Sequence, residues 1–236
     1  MFSETPLSGN TLPANTLCLS FDDGPAQIQG TKRGPKTLDL ALYLRDMGIR
    51  ATFFVVGNMI EGCPDAVPRM AALGHTVGNH TFNHIDMVTR QDEKMLLLSE
   101  ISDVDDLIRP YIPDRTVYFR APWGLWSPEI ARSLNTCLHN GLDHRGPVSW
   151  DIDARDWEFW LHGESAEKCA AAYLAEIGKI TKGIVLMHDS TADLTESRNN
   201  NLTFETVKLL VPALLEKGFQ FASLEEAIPF TPTSTY

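Results

Sequence analysis

Several features are scarce in this chain of 236 residues, and each scarcity narrows what it can do. No apolar run approaches the ~20 residues that a membrane-spanning helix needs. Met1-Phe2-Ser3-Glu4-Thr5-Pro6 has neither a basic start nor an apolar core, so no secretory signal is visible. A trimmed secreted chain would look the same, which leaves the compartment open. Basic residues are outnumbered, 20 Lys and Arg against 31 Asp and Glu, for a net charge of −11. They form no cluster, which argues against nucleic acid and anionic membrane as partners. The 4 cysteines, Cys18, Cys63, Cys137 and Cys169, include no C-x-x-C pair. That argues against a cysteine zinc site and favours buried free thiols. There is no internal repeat and no low-complexity tract.

What is present suits a globular α/β protein. Hydrophobic residues make up 43% and charged residues 22%, and the length fits one large domain or two small ones. A single-domain monomer is the expectation, with irregular termini at about 1–15 and 229–236. Within it, β-leaning apolar runs alternate with amphipathic segments. Strands are expected at Thr16 to Leu19, Ala51 to Val56, His75 to Asn79, Thr116 to Phe119, Pro147 to Ile152, Gly183 to Met187 and Phe219 to Phe221. Between them, Pro35 to Met47, Pro64 to Leu73, Ser127 to Leu138, Ser165 to Ile180 and Thr203 to Lys217 carry helical spacing, several closed by glycine. A further helix is expected to open on a capping box at Thr89-x-x-Asp92, with Leu98, Ile101, Val104 and Ile108 inward and Asp103, Asp105 and Asp106 outward. Such alternation predicts a parallel sheet with crossover helices, either closed or doubly wound.

The polar residues decide between the two. Asp22 and Asp23 follow the first strand, His80-Thr81-Phe82-Asn83-His84 the third, and Arg120-Ala121-Pro122-Trp123 the next. Asp153-Ala154-Arg155-Asp156-Trp157 and His188-Asp189 follow later strands. Chemically capable groups at the ends of many strands favour a barrel, where all strand C-termini open on one face. An open sheet would gather them at one switch point. The paired Asp22 and Asp23 repel each other; a cation beside them relieves that cost and leaves one free as a base. His80 and His84 are spaced to share a helical face and, with Asp22 or Asp23, to bind one metal ion. His188 near such an ion is a candidate general acid, with Asp153 or Asp156 to orient it. Trp123, Trp126, Trp157 and Trp160 flank two of the clusters, where indole rings suit sugar faces.

Taken in order, Ser20-Phe21-Asp22-Asp23-Gly24-Pro25, His80-Thr-x-x-His84, Arg120-Ala-Pro-Trp123, Asp153-x-x-Asp156-Trp157 and Leu186-x-His188-Asp189 resemble the polysaccharide deacetylases, carbohydrate esterase family 4 with the NodB-homology domain. The resemblance spans roughly Leu17 to Leu224. It implies a distorted (β/α)7 barrel and metal-dependent removal of N-acetyl groups from an amino-sugar glycan of the chitin or chitooligosaccharide type. It implies Asp22 as base, Asp23, His80 and His84 as ligands of Zn2+ or another divalent ion such as Co2+, and Arg120 as the residue tuning the base. It also implies His188 as acid with Asp153 or Asp156 tuning it, and Trp123, Leu186, Trp157 and Pro122 around the substrate. O-deacetylation of xylan, peptidoglycan deacetylation and hydrolysis of a small amide are the alternatives. Ser20 stands where Thr is usual, and the loops Ala26 to Gly34 and Trp157 to Gly163 look longer than typical, which bears on substrate preference. Asn79-His80-Thr81 and Asn201-Leu202-Thr203 are formal glycosylation sequons; the first is discounted, because a glycan on Asn79 would block the metal site.

Overall fold

The strand that ends on the paired acids is the centre of the molecule. In the computed structural model, which describes Met1–Pro229, β2 (Thr16–Asp22) is buried along its whole length. Before it comes β1 (Phe2–Leu7), and after it α1 (Thr37–Asp46), β3 (Thr52–Val55), α2 (Gly57–Gly62), α3 (Ala66–Ala72), β4 (Thr76–Asn79), α4 (Lys94–Ile108) and β5 (Thr116–Tyr118). The chain continues through α5 (Pro128–Cys137), β6 (Asp143–Val148), β7 (Ile152–Asp153), α6 (Asp156–Leu161), α7 (Ala166–Ile180), β8 (Gly183–His188), α8 (Thr195–Asn199), α9 (Thr203–Glu216), β9 (Gln220–Phe221) and α10 (Leu224–Ala227). All strand pairings are parallel: β4-β3-β2-β8-β7 in one sheet, with β9 also on β2, and β1-β6-β5 in another. Among the described residues no helix is long and apolar enough to cross a membrane.

This is the expected α/β barrel architecture in its distorted form. The hydrogen-bonded ladder does not close into one ring. A backbone bridge between Asn79 and Phe119 joins the sheets on one side. On the other, the strand expected from Pro147 to Ile152 is broken into β6 and β7, and β7 pairs with β8. At the break, Asp151 turns its carboxylate onto the Gly9 and Ile184 amides, 2.8 Å from each. The interior is nonetheless barrel-like, because side chains alternate across each strand. Leu17, Leu19 and Phe21 of β2 face the outer helices in the main core, with Val77, Val185 and Met187. Cys18, Phe54, Tyr118, Val148 and Ile184 face inward, closed from below by Leu224 and Ala227 of α10. Gly78 is required there, since a Cβ would meet the Phe54 ring at 2.7 Å and the Tyr118 carbonyl at 2.8 Å.

Several local expectations are corrected. The segment before Thr16 is not irregular: β1 pairs with β6, and Phe2 meets Phe119 edge-to-face and stacks on His144. The expectation for the end of the chain falls on residues 230–236, outside the described residues. Thr89 and Asp92 form no capping box. Asp86 takes the Thr89 amide and hydroxyl into a turn, and α4 starts later, after Glu93. Asp105 points inward, not outward, where it accepts bonds from Asn79, Asn140 and His144. Leu97 rather than Leu98 is the buried leucine of that turn. All four cysteines are free; Cys18 and Cys169 are buried, but Cys137 is exposed.

Candidate active site

The inward alternation continues past the apolar layer and delivers the polar groups to one mouth. On β2, Ser20 and Asp22 follow Cys18; beyond β4, His80 follows Gly78; beyond β5, Arg120 follows Tyr118; on β8, Leu186 and His188 follow Ile184. Asp22 and His188 are paired positions on adjacent strands. They open on a cavity of about 190 Å³ lined by Asp22, Asp23, His80, His84, Leu186 and His188, with Trp123, Trp150 and Trp157 around it.

Arg120 is fully buried, and its guanidinium makes four hydrogen bonds. Nη1 donates to Asp22 Oδ1 at 2.7 Å and Ser20 Oγ at 2.9 Å. Nε and Nη2 donate to the Val148 and Ser149 carbonyls at 3.1 Å each. The planar group lies 4.2 Å from the Phe54 ring centroid. A rigid fork of this kind fixes the Asp22 carboxylate in one orientation.

Asp23 Oδ1 lies 3.5 Å from His80 Nε2 and 3.2 Å from His84 Nε2. The three ligand atoms are all within 4.8 Å of one another, and all three residues are buried. His80 Nδ1 donates to the Arg120 carbonyl at 2.8 Å, and His84 Nδ1 to Asp193 Oδ2 at 2.5 Å. With both Nδ1 atoms engaged, each Nε2 faces Asp23 and is free to offer its lone pair to a cation bound between them. Two imidazoles and one carboxylate in this arrangement fit a divalent transition metal. Burial pushes the Asp23 carboxyl up, but the neighbouring His84, His80 and His188 outweigh it and hold it well below the ordinary carboxylate range. Burial likewise opposes the charge on His84, yet Asp23 and Asp193 raise it overall.

The two histidines do not share a helix. Thr81 and His84 have φ of 67° and 53°, so the chain coils through a loop that aims both rings at one point. Asp23, Trp123 and Arg155 also have positive φ. Such conformations cost ~1–3 kcal/mol each and gather where the surroundings over-determine a site.

On the opposite wall, His188 Nδ1 donates to Asp156 Oδ1 at 2.6 Å, and the His188 amide donates to Asp156 Oδ2 at 2.8 Å. Asp156 is fully buried. Burial disfavours the imidazolium, but the Asp156 charge and hydrogen bond prevail and raise the His188 pKa to about 10. Asp153 does not reach His188 by a hydrogen bond; its Oδ1 accepts the Arg155 amide at 2.6 Å. Asp189, next in sequence, is buried and bonded to the Thr37 hydroxyl. Burial raises its carboxyl to about 7, with Thr37 opposing and Asp23 and Asp22 adding to the rise.

The tryptophans divide. Trp123, 53% exposed, packs at a tilt against His84 with centroids 4.4 Å apart, and Trp157 lines the cavity. Trp160 is core, its indole N–H donating to Thr203, and Trp126 packs on Phe2 and Phe119. Pro122 is buried in its turn and is not among the lining residues. Trp150, Thr191, Asp193 and Leu194 line the cavity without having been expected to. Trp150 carried a signal, as an indole just ahead of an acidic cluster. The segment 191–194 carried none. Asn79 and Asn201 are both buried and donate inward, to Asp105 and the His188 carbonyl, so neither is a surface glycosylation site.

Residues 9–140 match the sequence profile of the polysaccharide deacetylase family. The chain is 32% identical over 229 residues to a chitooligosaccharide deacetylase of Sinorhizobium fredii, covering 94% of both proteins. It is 26% identical over 216 residues to a peptidoglycan-N-acetylglucosamine deacetylase of Bacillus cereus, covering 91% of this chain and 88% of that one. The solved chitin deacetylase of Colletotrichum lindemuthianum superposes with a TM-score of 0.68 at 25% identity, over 94% of this chain and 91% of that one.

Proposed function

Because the chain belongs to the polysaccharide deacetylase family, we propose that it hydrolyses the N-acetyl groups of an amino-sugar oligosaccharide of the chitooligosaccharide type, releasing acetate and a free amine. The observation that carries this reading is a pair of dyads beside one ligand group. Asp22, held by Arg120, and His188, held by Asp156, sit on adjacent strands and line one cavity with Asp23, His80 and His84.

In this mechanism Asp22 is the general base and accepts the proton of the attacking water. Arg120 keeps that carboxylate oriented through its 2.7 Å bond to Oδ1. Asp23, His80 and His84 would hold a divalent ion, zinc being favoured by the two-imidazole, one-carboxylate set, and when bound it would supply Lewis-acid polarisation of the amide carbonyl and a lowered water pKa, from 15.7 toward ~7. The Trp123 amide is the proposed donor to the oxyanion, and a donor of that kind contributes ~3–4 kcal/mol. His188, kept protonated by Asp156, gives its proton to the leaving nitrogen. Leu186, 4% exposed, forms the apolar wall for the acetyl methyl, and Trp123 and Trp157 face the sugar rings at the mouth. Of Asp153 and Asp156, Asp156 is the partner proposed for His188, supported by its two bonds to that residue.

The glycan class is supported by relatives at about 30% identity named for chitooligosaccharides. The test is acetate release from N-acetylglucosamine oligomers of increasing length, with acetylated xylan alongside, after chelation and after zinc restoration. Zinc-dependent release from the oligomers is expected, rising with length as the indole-lined mouth fills. Release from xylan alone would move the function to ester hydrolysis, and no release from either would discard this substrate class.

A further inference from the structure

The segment linking β8 to α8, residues 189–194, reaches two of the three groups of the ion site. The Ala192 amide donates to Asp23 Oδ2 at 3.0 Å, and Asp193 Oδ2 accepts from His84 Nδ1 at 2.5 Å. The segment is itself stapled. Arg198 donates to the Thr191 carbonyl at 2.7 Å and to the Ala192 carbonyl, while Ser197 Oγ bonds the Trp157 carbonyl at 2.9 Å. We propose that Asp193 is a positioning residue for the metal ion: it fixes the tautomer and orientation of His84, and the Arg198-clamped loop that carries it sets how tightly the ion is held.

This inference rests on reading Asp23, His80 and His84 as the ligands. The two imidazoles are supported unequally. His80 follows a strand and gives its Nδ1 proton to a main-chain carbonyl. His84 stands in a loop at φ 53°, with no regular element to aim its ring. Asp193 bonds its Nδ1, and the Trp123 ring packs against it. A carboxylate on Nδ1 also makes the imidazole a better donor through Nε2 than a neutral carbonyl does. The Asp193 side chain is 46% exposed, so its ion pair contributes little to folding. That separates a positioning role from a structural one: losing the carboxylate should weaken metal binding while leaving the metal-free fold nearly unchanged.

The experiment measures the zinc dissociation constant of chelator-stripped wild type, Asp193→Ala, Asp193→Asn and Asp193→Glu by competition with a chromophoric chelator, together with the thermal midpoint of each metal-free protein. The Ala variant is expected to bind zinc ~10–100-fold more weakly. The Asn variant, which keeps an acceptor oxygen but not the charge, should fall between, and Glu should recover part of the loss. Metal-free midpoints should agree within ~2–4 °C. Zinc binding by Asp193→Ala within twofold of a wild type that binds one equivalent would overturn the role of Asp193 while sparing the ligand assignment. A large fall in the metal-free midpoint, with affinity lost in proportion, would make Asp193 structural. A wild type that binds no zinc would overturn the ligand assignment and this inference with it.

Discussion

Replacing Asp156 by Asn tests the acid half of the site, and the size of the effect follows from the environment of His188. Burial works against the imidazolium, and the charge and hydrogen bond of Asp156 more than compensate, carrying the pKa from 6.5 to about 10. Without that charge the burial remains and only the smaller contributions of Asp23 and Asp22 still favour the imidazolium, so the variant's pKa falls from about 10 toward the ordinary 6.5. At pH 8 a group of pKa 10 is almost wholly protonated, whereas one of pKa 6.5 is ~3% protonated, a ~30-fold loss of competent acid. At pH 6 the two differ by less than twofold. A divalent cation in the neighbouring site lowers both values together, so the separation between the limbs is the observable. Profiles of kcat/KM against pH on a chitooligosaccharide should show the alkaline limb of Asp156→Asn displaced to lower pH by two units or more, with activity partly regained near pH 6. The stability of the chelated protein carries the same sign. A raised histidine pKa contributes stability that is fully present below 6.5 and is lost as pH rises through about 10, and the variant should lack that decline. An alkaline limb in the same place as wild type, with the fold intact, would refute the assignment of His188 as an acid tuned by Asp156.

Asp22→Asn should keep its zinc and lose ~10²–10⁴ of turnover; an undiminished kcat would remove Asp22 from the role of base. Asp189→Asn should stabilise the chelated protein at pH 8. The folded carboxyl titrates at about 7 against 3.8 unfolded, so wild-type stability falls as pH rises between those values, by up to ~4 kcal/mol. Asn retains an acceptor for Thr37, and a urea midpoint at pH 8 no higher than wild type would show that burial of Asp189 carries no such cost. Trp123→Ala should raise KM for oligomers ~2–10-fold, and an unchanged KM across oligomer lengths would exclude its ring as a sugar platform.

The sequence by itself determined the class of the fold and the chemistry of the site. Continuous apolar runs such as Leu17-Cys18-Leu19 and Gly183-Ile184-Val185-Leu186-Met187 need burial on both faces. Alternating them with amphipathic helices leaves a parallel sheet as the way to achieve it. Asp22, Asp23, His80, His84, Arg120 and His188 were legible because each lies at the end of a strand or in the loop just after one, and strand ends share one face. Tertiary structure alone decided what depends on where separate segments meet. Asp153 and Asp156 are three residues apart and chemically alike; only the start of α6 at Asp156 carries the second acid under β8 and leaves the first on its own turn. The convergence of His80 and His84 rests on a loop with two positive-φ residues, not on helical periodicity. Asp105 looked like surface charge until β6 and β4 brought His144 and Asn79 against it. Asp193 has no local pattern at all. Its contact with His84 spans 109 residues of sequence, and it exists because an arginine one turn further on folds the β8–α8 loop back over the site.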